Sequence, residues 1–273
     1  MRTHRLLASV AVATLLTVTG AVSAGATSLV ALTGHRTLLT IDYRKPAVVR
    51  EFHVTGISGR LLGIDVRPVD GVLYGIVDNG AVVTIDPRNG KAQFKSQLTQ
   101  TLLSGVRASV DFNPSADRLR IIGSDGTNLR ANVDDGVVLL DTPLSFAPGP
   151  FVPVTAPPTL PKVIAAAYTN SAVGTLPAAM GTVLFDVDDV SDALYAQVPA
   201  NGGVLNAVGS RLGISPGEIG FDIATRPDGT NMAFLISGNR LYQPGLLAGR
   251  VGKGTLVKGL NAPVRDLAVL TIK

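Results

Sequence analysis

No cysteine occurs anywhere in the chain, so no disulfide framework, thiol nucleophile or thiolate metal site can form, and cohesion has to come from packing. Tryptophan is absent too, and there are only three histidines. A serine hydrolase needs an activated serine within reach of a histidine, but no G-x-S-x-G string occurs, and only His35 and His53 lie beyond the amino-terminal segment. Imidazole metal sites are excluded for want of closely spaced histidine pairs. Neither a metal nor a cofactor is expected. Glutamate is nearly missing, with Glu51 and Glu218 set against eighteen aspartates. Aspartate suits turns and glutamate suits helices, so the imbalance points to strands joined by tight turns.

What is present is ample apolar material, 46% of 273 residues, enough for one large packed domain. Arg2, His4 and Arg5 precede an uncharged apolar run from Leu6 to about Val22 and the small residues Val22-Ser23-Ala24. Residues 1–24 are therefore expected to be a signal peptide, making the mature protein secreted or extracytoplasmic. Its removal takes away Arg2 and Arg5 and no acid, which lowers the formal net charge from +4 to +2. No basic run with interleaved aromatics appears, so nucleic acid is not expected as a partner.

The stretch SVDFNPSADRLRIIGSDGTNLRANV (Ser109 to Val133), shifted back by 46 residues, falls without a gap on GIDVRPVDGVLYGIVDNGAVVTIDP (Gly63 to Pro87). Asp65 then meets Asp111, Pro68 meets Pro114, and Asn79-Gly80 meets Asp125-Gly126, so strands and turns keep phase together. A third copy, GFDIATRPDGTNMAFLISGNRLY, carries Asp222, and the closing VRDLAVLTIK carries Asp266 in what reads as the same phase. Between them VIAAAYTN has Ala167 where the others have aspartate. These opening strands recur every 44 to 56 residues, the size of a four-stranded blade. The TIDYRKP segment near the amino terminus matches TIDPRNG, the third strand of the next unit, so the first unit lacks an opening strand and the carboxyl-terminal strand supplies one.

The expected fold is all-β, a β-propeller of five four-stranded blades over residues 28–273, with the C-terminal strand closing blade one. Ser145 to Pro161, rich in proline, reads as a surface connection between blades three and four.

The strings VDFNPSADRLRIIGSDGTNLRANVDDG, AAAYTNS, LFDVDD, NGGVLNAVG and RDLAVL together resemble a secreted bacterial family catalogued as domain of unknown function 4394. The resemblance spans roughly Leu29 to Leu270 and implies an exported, propeller-like domain; it brings no activity or catalytic residue with it. The proline-rich insert is where this chain departs from the pattern.

The acidic run DVDDVSD (Asp186 to Asp192) lacks the glycine and the twelfth-position glutamate of an EF-type calcium loop, and reads as an Asp-rich turn. The repeated aspartates allow two readings. They cap turns in their own blades, accepting backbone N–H bonds or pairing with the nearby Arg67 or Arg226, or they crowd the channel, where like charges raise one another's pKa and can hold a cation or work as acid and base. A ligand is held one way round only where blades differ, so the expected ligand-binding set is Tyr168 and Asn170 in the divergent blade, with Asp65, Asp111 and Asp222. The function read from this is a monomeric binding or scaffold propeller for an extracellular or cell-envelope ligand. The alternative is an extracytoplasmic hydrolase or lyase using channel aspartates, such as a glycosidase with paired carboxylates.

Overall fold

The structure, a computed structural model, describes residues 28–151, 159–174, 181–214 and 217–271. The expected signal segment lies outside them, as does 152–158 of the proline-rich connection. Among the described residues, short runs bounded by Asn, Asp and Gly turns form twenty-one strands. The chain begins with β1 (Ser28–Thr33), β2 (Thr37–Asp42) and β3 (Ala47–His53). There follow β4 (Leu61–Val66), β5 (Leu73–Val77), β6 (Ala81–Ile85) and β7 (Ala92–Gln97), then β8 (Ala108–Asn113), β9 (Arg118–Gly123), β10 (Asn128–Ala131) and β11 (Val138–Leu140). The divergent unit holds β12 (Ser145–Phe146), β13 (Val163–Tyr168), β14 (Leu184–Asp188), β15 (Ala193–Gln197) and β16 (Val204–Arg211). The chain ends with β17 (Ile219–Thr225), β18 (Asn231–Ser237), β19 (Arg240–Tyr242), β20 (Thr255–Leu256) and β21 (Val264–Thr271).

Five sheets result, ordered β21-β1-β2-β3, β4-β5-β6-β7, β8-β9-β10-β11, β13-β14-β15-β16-β12 and β17-β18-β19-β20. They are the blades of a five-bladed propeller. The innermost strands β21, β4, β8, β13 and β17 pack side by side in a closed ring, and β21 pairs antiparallel with β1 to complete blade one. One departure from a four-stranded plan occurs in blade four. There β12, cut from the start of the proline-rich connection, pairs parallel to β16 through Ser145–Val204 and Phe146–Leu205 and adds a fifth strand. Proline withholds N–H donors, and this outer edge is where a sheet tolerates such a neighbour.

Five apolar clusters fill the five gaps between blades. Leu29, Leu39 and Ile41 meet Phe234 and Ile236 between blades one and five, and Val30 and Leu38 meet Leu61 and Ile64 between one and two. Tyr74 and Ile76 meet Phe112 and Ile121 between two and three, Ile122 meets Tyr168 and Leu184 between three and four, and Ile164 and Phe185 meet Phe221 and Leu235 between four and five. Inner strands face a neighbour on either side, which is why β13 and β17 are buried along their whole length rather than at alternate residues. The second tie between blades two and three is ionic: Arg67, 5% exposed, reaches Asp117 at 2.6 Å and Asp134 at 2.7 Å.

Candidate functional site

Asp65, Asp111 and Asp222 come together at the axis, each offering a carboxylate oxygen within 4.8 Å of the others. All three are buried. Each also reaches sideways to the next blade. Asp65 accepts the N–H of Phe112 at 2.7 Å, Asp111 that of Tyr168 at 2.9 Å, and Asp222 that of Val269 at 2.6 Å. Asp65 and Asp222 use their second oxygens on the amides of Val66 and Ile223, at 2.6 and 2.5 Å. The repeated aspartate is thus a rivet between adjacent inner strands, whose edges are turned towards the axis and leave amides that a sheet partner would otherwise take.

These bonds also correct the phase of Asp266. The donors Phe112 and Tyr168 each follow by one the residue in the phase of the accepting aspartate, so Val269 makes Ala268, not Asp266, the counterpart in β21. Asp266 lies one pleat away on the same face and accepts the amide of Ile64 at 2.8 Å. Gly63 makes room for it, since a Cβ there would lie 2.6 Å from Asp266 Oδ2. In blade four, Ala167 supplies no rivet to blade five. That junction is made at the strand ends instead, where Asn170 N and Thr225 Oγ1 both donate to Asn231 Oδ1, at 2.8 and 2.7 Å, and Asn231 Nδ2 donates to Asn170 Oδ1 at 3.0 Å.

The structure brings the three aspartates together and, although Tyr168 N donates to Asp111, it turns the side chains of Tyr168 and Asn170 away from them. Tyr168 follows Ala167 by one residue, so its ring points off the axial face into the gap between blades three and four. It is 1% exposed, and its hydroxyl accepts from Arg120 Nε at 3.1 Å. Asn170, 7% exposed, sits at φ 66 and also donates to Gly181 O, so its polar groups are engaged within the fold. The acidic run is bonded to backbone: Asp188 accepts from Ser191 N within its own turn and from Lys162 N across the blade, and Asp189 accepts from Gly217 N. Asp186 differs, being wholly buried on β14 with neither oxygen bonded.

Burial pushes the Asp65 and Asp111 carboxyls well above the usual carboxylate range, and the neighbouring negative charges add to it. Burial raises Asp266 as well, opposed by the Ile64 amide. Asp222 is pushed up to about 6 by burial, against the amides of Val269 and Ile223. Because the folded state holds these protons more tightly than the unfolded chain, whose aspartates titrate near 3.9, their contribution is complete below about pH 4 and is lost as pH rises through the raised folded values, about 6 for Asp222. Chelator-treated protein is therefore expected to show a lower urea midpoint at about pH 8 than at about pH 5. A midpoint that rose over that interval would contradict the burial of these groups.

The two mouths of the ring differ. At the carboxyl ends of the inner strands, Gly174 N donates to Pro68 O at 2.8 Å, so the β13–β14 connection reaches across to blade two. At their amino ends a cleft of about 500 Å³ opens, lined by His35, Arg60, Asp78, Leu103, Arg107, Glu218 and Arg265 among others. Arg107 bridges its floor, donating through Nη1 to Gly217 O and through Nη2 to Ile219 O and Arg265 O, while its buried Nε has no partner. Asp78 and Arg265 lie within the repeated strings, but His35, Arg60, Leu103, Arg107 and Glu218 stand in loops and strand starts outside them, and no motif marked the cleft.

Among the described residues no helix is long and apolar enough to cross a membrane. No curated protein matches the chain. Among solved structures, a protein of unknown function from Bacteroides thetaiotaomicron VPI-5482 is similar at 17% identity and TM-score 0.51, over 89% of this chain and 64% of that one. A protein of unknown function from Bacteroides caccae aligns at 11% identity and TM-score 0.44, over 85% and 73%. The first supports the fold alone. The model of the family described as "Domain of unknown function (DUF4394)" matches residues 37–268, and the chain belongs to that family.

Proposed function

We propose that the protein is an exported binding propeller whose ligand seats in the cleft at the amino-terminal mouth, and that the axial aspartates serve the fold rather than a reaction. The observation that carries this reading is how the axial carboxylates are used. Asp65, Asp111 and Asp222 are sealed from solvent and bonded to backbone amides of neighbouring blades, which leaves a hydrolase or lyase no accessible carboxylate pair there. The open mouth supports a ligand bearing an anionic group. Arg60, Arg107 and Arg265, with His35, stand against Asp78 and Glu218, and Leu103, 75% exposed, gives an apolar rim. Arg60 is the adaptable member: its side chain is 56% exposed, and its pair with Asp78 is a surface one that a ligand can replace at little cost. Export is supported by the charged start, apolar run and Val22-Ser23-Ala24 of the sequence.

The test is binding of polygalacturonate and dextran sulfate, with uncharged dextran as control. Retention of the polyanions is expected to fall about tenfold in Arg60→Ala, a loss of roughly 1.4 kcal/mol, and to weaken with salt. Uncharged dextran bound as well as the polyanions, or polyanion binding untouched by Arg60→Ala, would remove the cleft from consideration.

A further inference from the structure

The geometry points to a divalent-cation site of the calcium type on the propeller axis, held by Asp65, Asp111 and Asp222 with Ser109. This goes beyond the reading of the mouth, since none of these four residues lines the cleft. One oxygen from each aspartate lies within 4.8 Å of the others, a separation that a single ion with bonds of about 2.3–2.6 Å spans. The backbone amides on these carboxylates aim them inwards without exhausting them, because each carboxylate oxygen carries two lone pairs and takes one N–H. Asp111 gives a backbone donor only its Oδ1, bonded to Tyr168 N.

Ser109 is the independent sign. It precedes Asp111 by two residues on β8, so both side chains leave the same face of the strand, the one turned to the axis. It is 2% exposed, and its hydroxyl has no hydrogen-bond partner. A hydroxyl stripped of water without a partner is costly, and a cation beside three carboxylates is a natural recipient of its lone pair. Charge balance argues the same way. Asp65, Asp111, Asp222 and Asp266 share the axis, whereas Arg107, the cation acting on Asp266, already has both terminal nitrogens on backbone carbonyls. An all-oxygen, carboxylate-rich set favours a hard cation, and three protein carboxylates in a dry site suit calcium better than magnesium, which gives up its waters reluctantly.

Arg107 closes the floor of the mouth, so the ion exchanges slowly and the full chain is best refolded from denaturant with calcium, with magnesium or with chelator. Elemental analysis after desalting is expected to find one calcium per chain, and the calcium-refolded protein is expected to melt several degrees above the chelated one. Ser109→Ala is expected to weaken calcium binding about tenfold while leaving the melting point in chelator unchanged. Asp111→Asn is expected to fold and to retain no calcium. No retained ion together with equal melting in calcium and chelator would overturn the site and leave shared protons to settle the cluster. Equal retention of magnesium would overturn the calcium assignment, and Ser109→Ala binding as tightly as the parent would remove the hydroxyl from it.

Discussion

Deletion of Val264–Lys273 is expected to leave the protein insoluble or unfolded. These residues carry β21, the inner strand of blade one, although they lie at the far end of the chain from the strands they pair with. Val264, Leu267 and Val269 are buried against blade five, and Ala268 against blade two. Three such aliphatic side chains contribute about 1.5–3 kcal/mol each, comparable in sum with the stability of a whole domain, about 5–15 kcal/mol. The deletion also removes the Val269 amide that Asp222 holds and the Asp266 carboxylate that holds Ile64, and it bares the edges of β1 and of two neighbouring blades. Gel filtration and circular dichroism of the truncated chain check this. A monomer melting within a few degrees of the full chain would show that the ring does not depend on its closing strand.

The second large effect separates aspartates that look alike in sequence. Asp65→Asn and Asp222→Asn are each expected to destabilise the fold by about 1–3 kcal/mol relative to Asp111→Asn. In the first two, both carboxylate oxygens accept backbone N–H groups, so an asparagine has to turn its NH2 against one of those donors and leave it unsatisfied. Asp111 gives the backbone one oxygen only, and an asparagine keeps that bond with Tyr168 N while its NH2 faces the remaining carboxylates. Relief of like-charge repulsion is common to all three variants and largely cancels in the comparison. Urea unfolding of the three at one pH, in chelator, measures the difference. Equal midpoints would mean that the second-oxygen bonds do not hold.

The architecture was legible because turns and strands recur in phase: the match of TIDYRKP to a third strand, rather than to a first, is enough to require β21 in blade one. The aspartates were legible as a set, but not their use. A period of two residues cannot tell Asp266 from Ala268, since both face the axis, and only the hydrogen bond to Val269 separates them. The same period rule, applied to Ala167, would have turned Tyr168 away from the axis. Asn170 looked like a ligand contact because asparagine in a divergent blade is conspicuous, whereas its positive φ and its bonds to Asn231 give it a joint to fasten. Arg107 and Ser109 carried no signal at all, because a serine hydroxyl without a partner is visible only once its surroundings are known.

Aspartates rivet four of the five junctions between inner strands, all but the one from blade four to blade five, and amide hydrogen exchange at Ile64, Phe112, Tyr168 and Val269 measures this. These four amides, which face the axis rather than a sheet partner, are expected to exchange only through global unfolding, and Asp65→Ala is expected to free Phe112 while Tyr168 stays protected. Rapid exchange of all four in the native protein would contradict it.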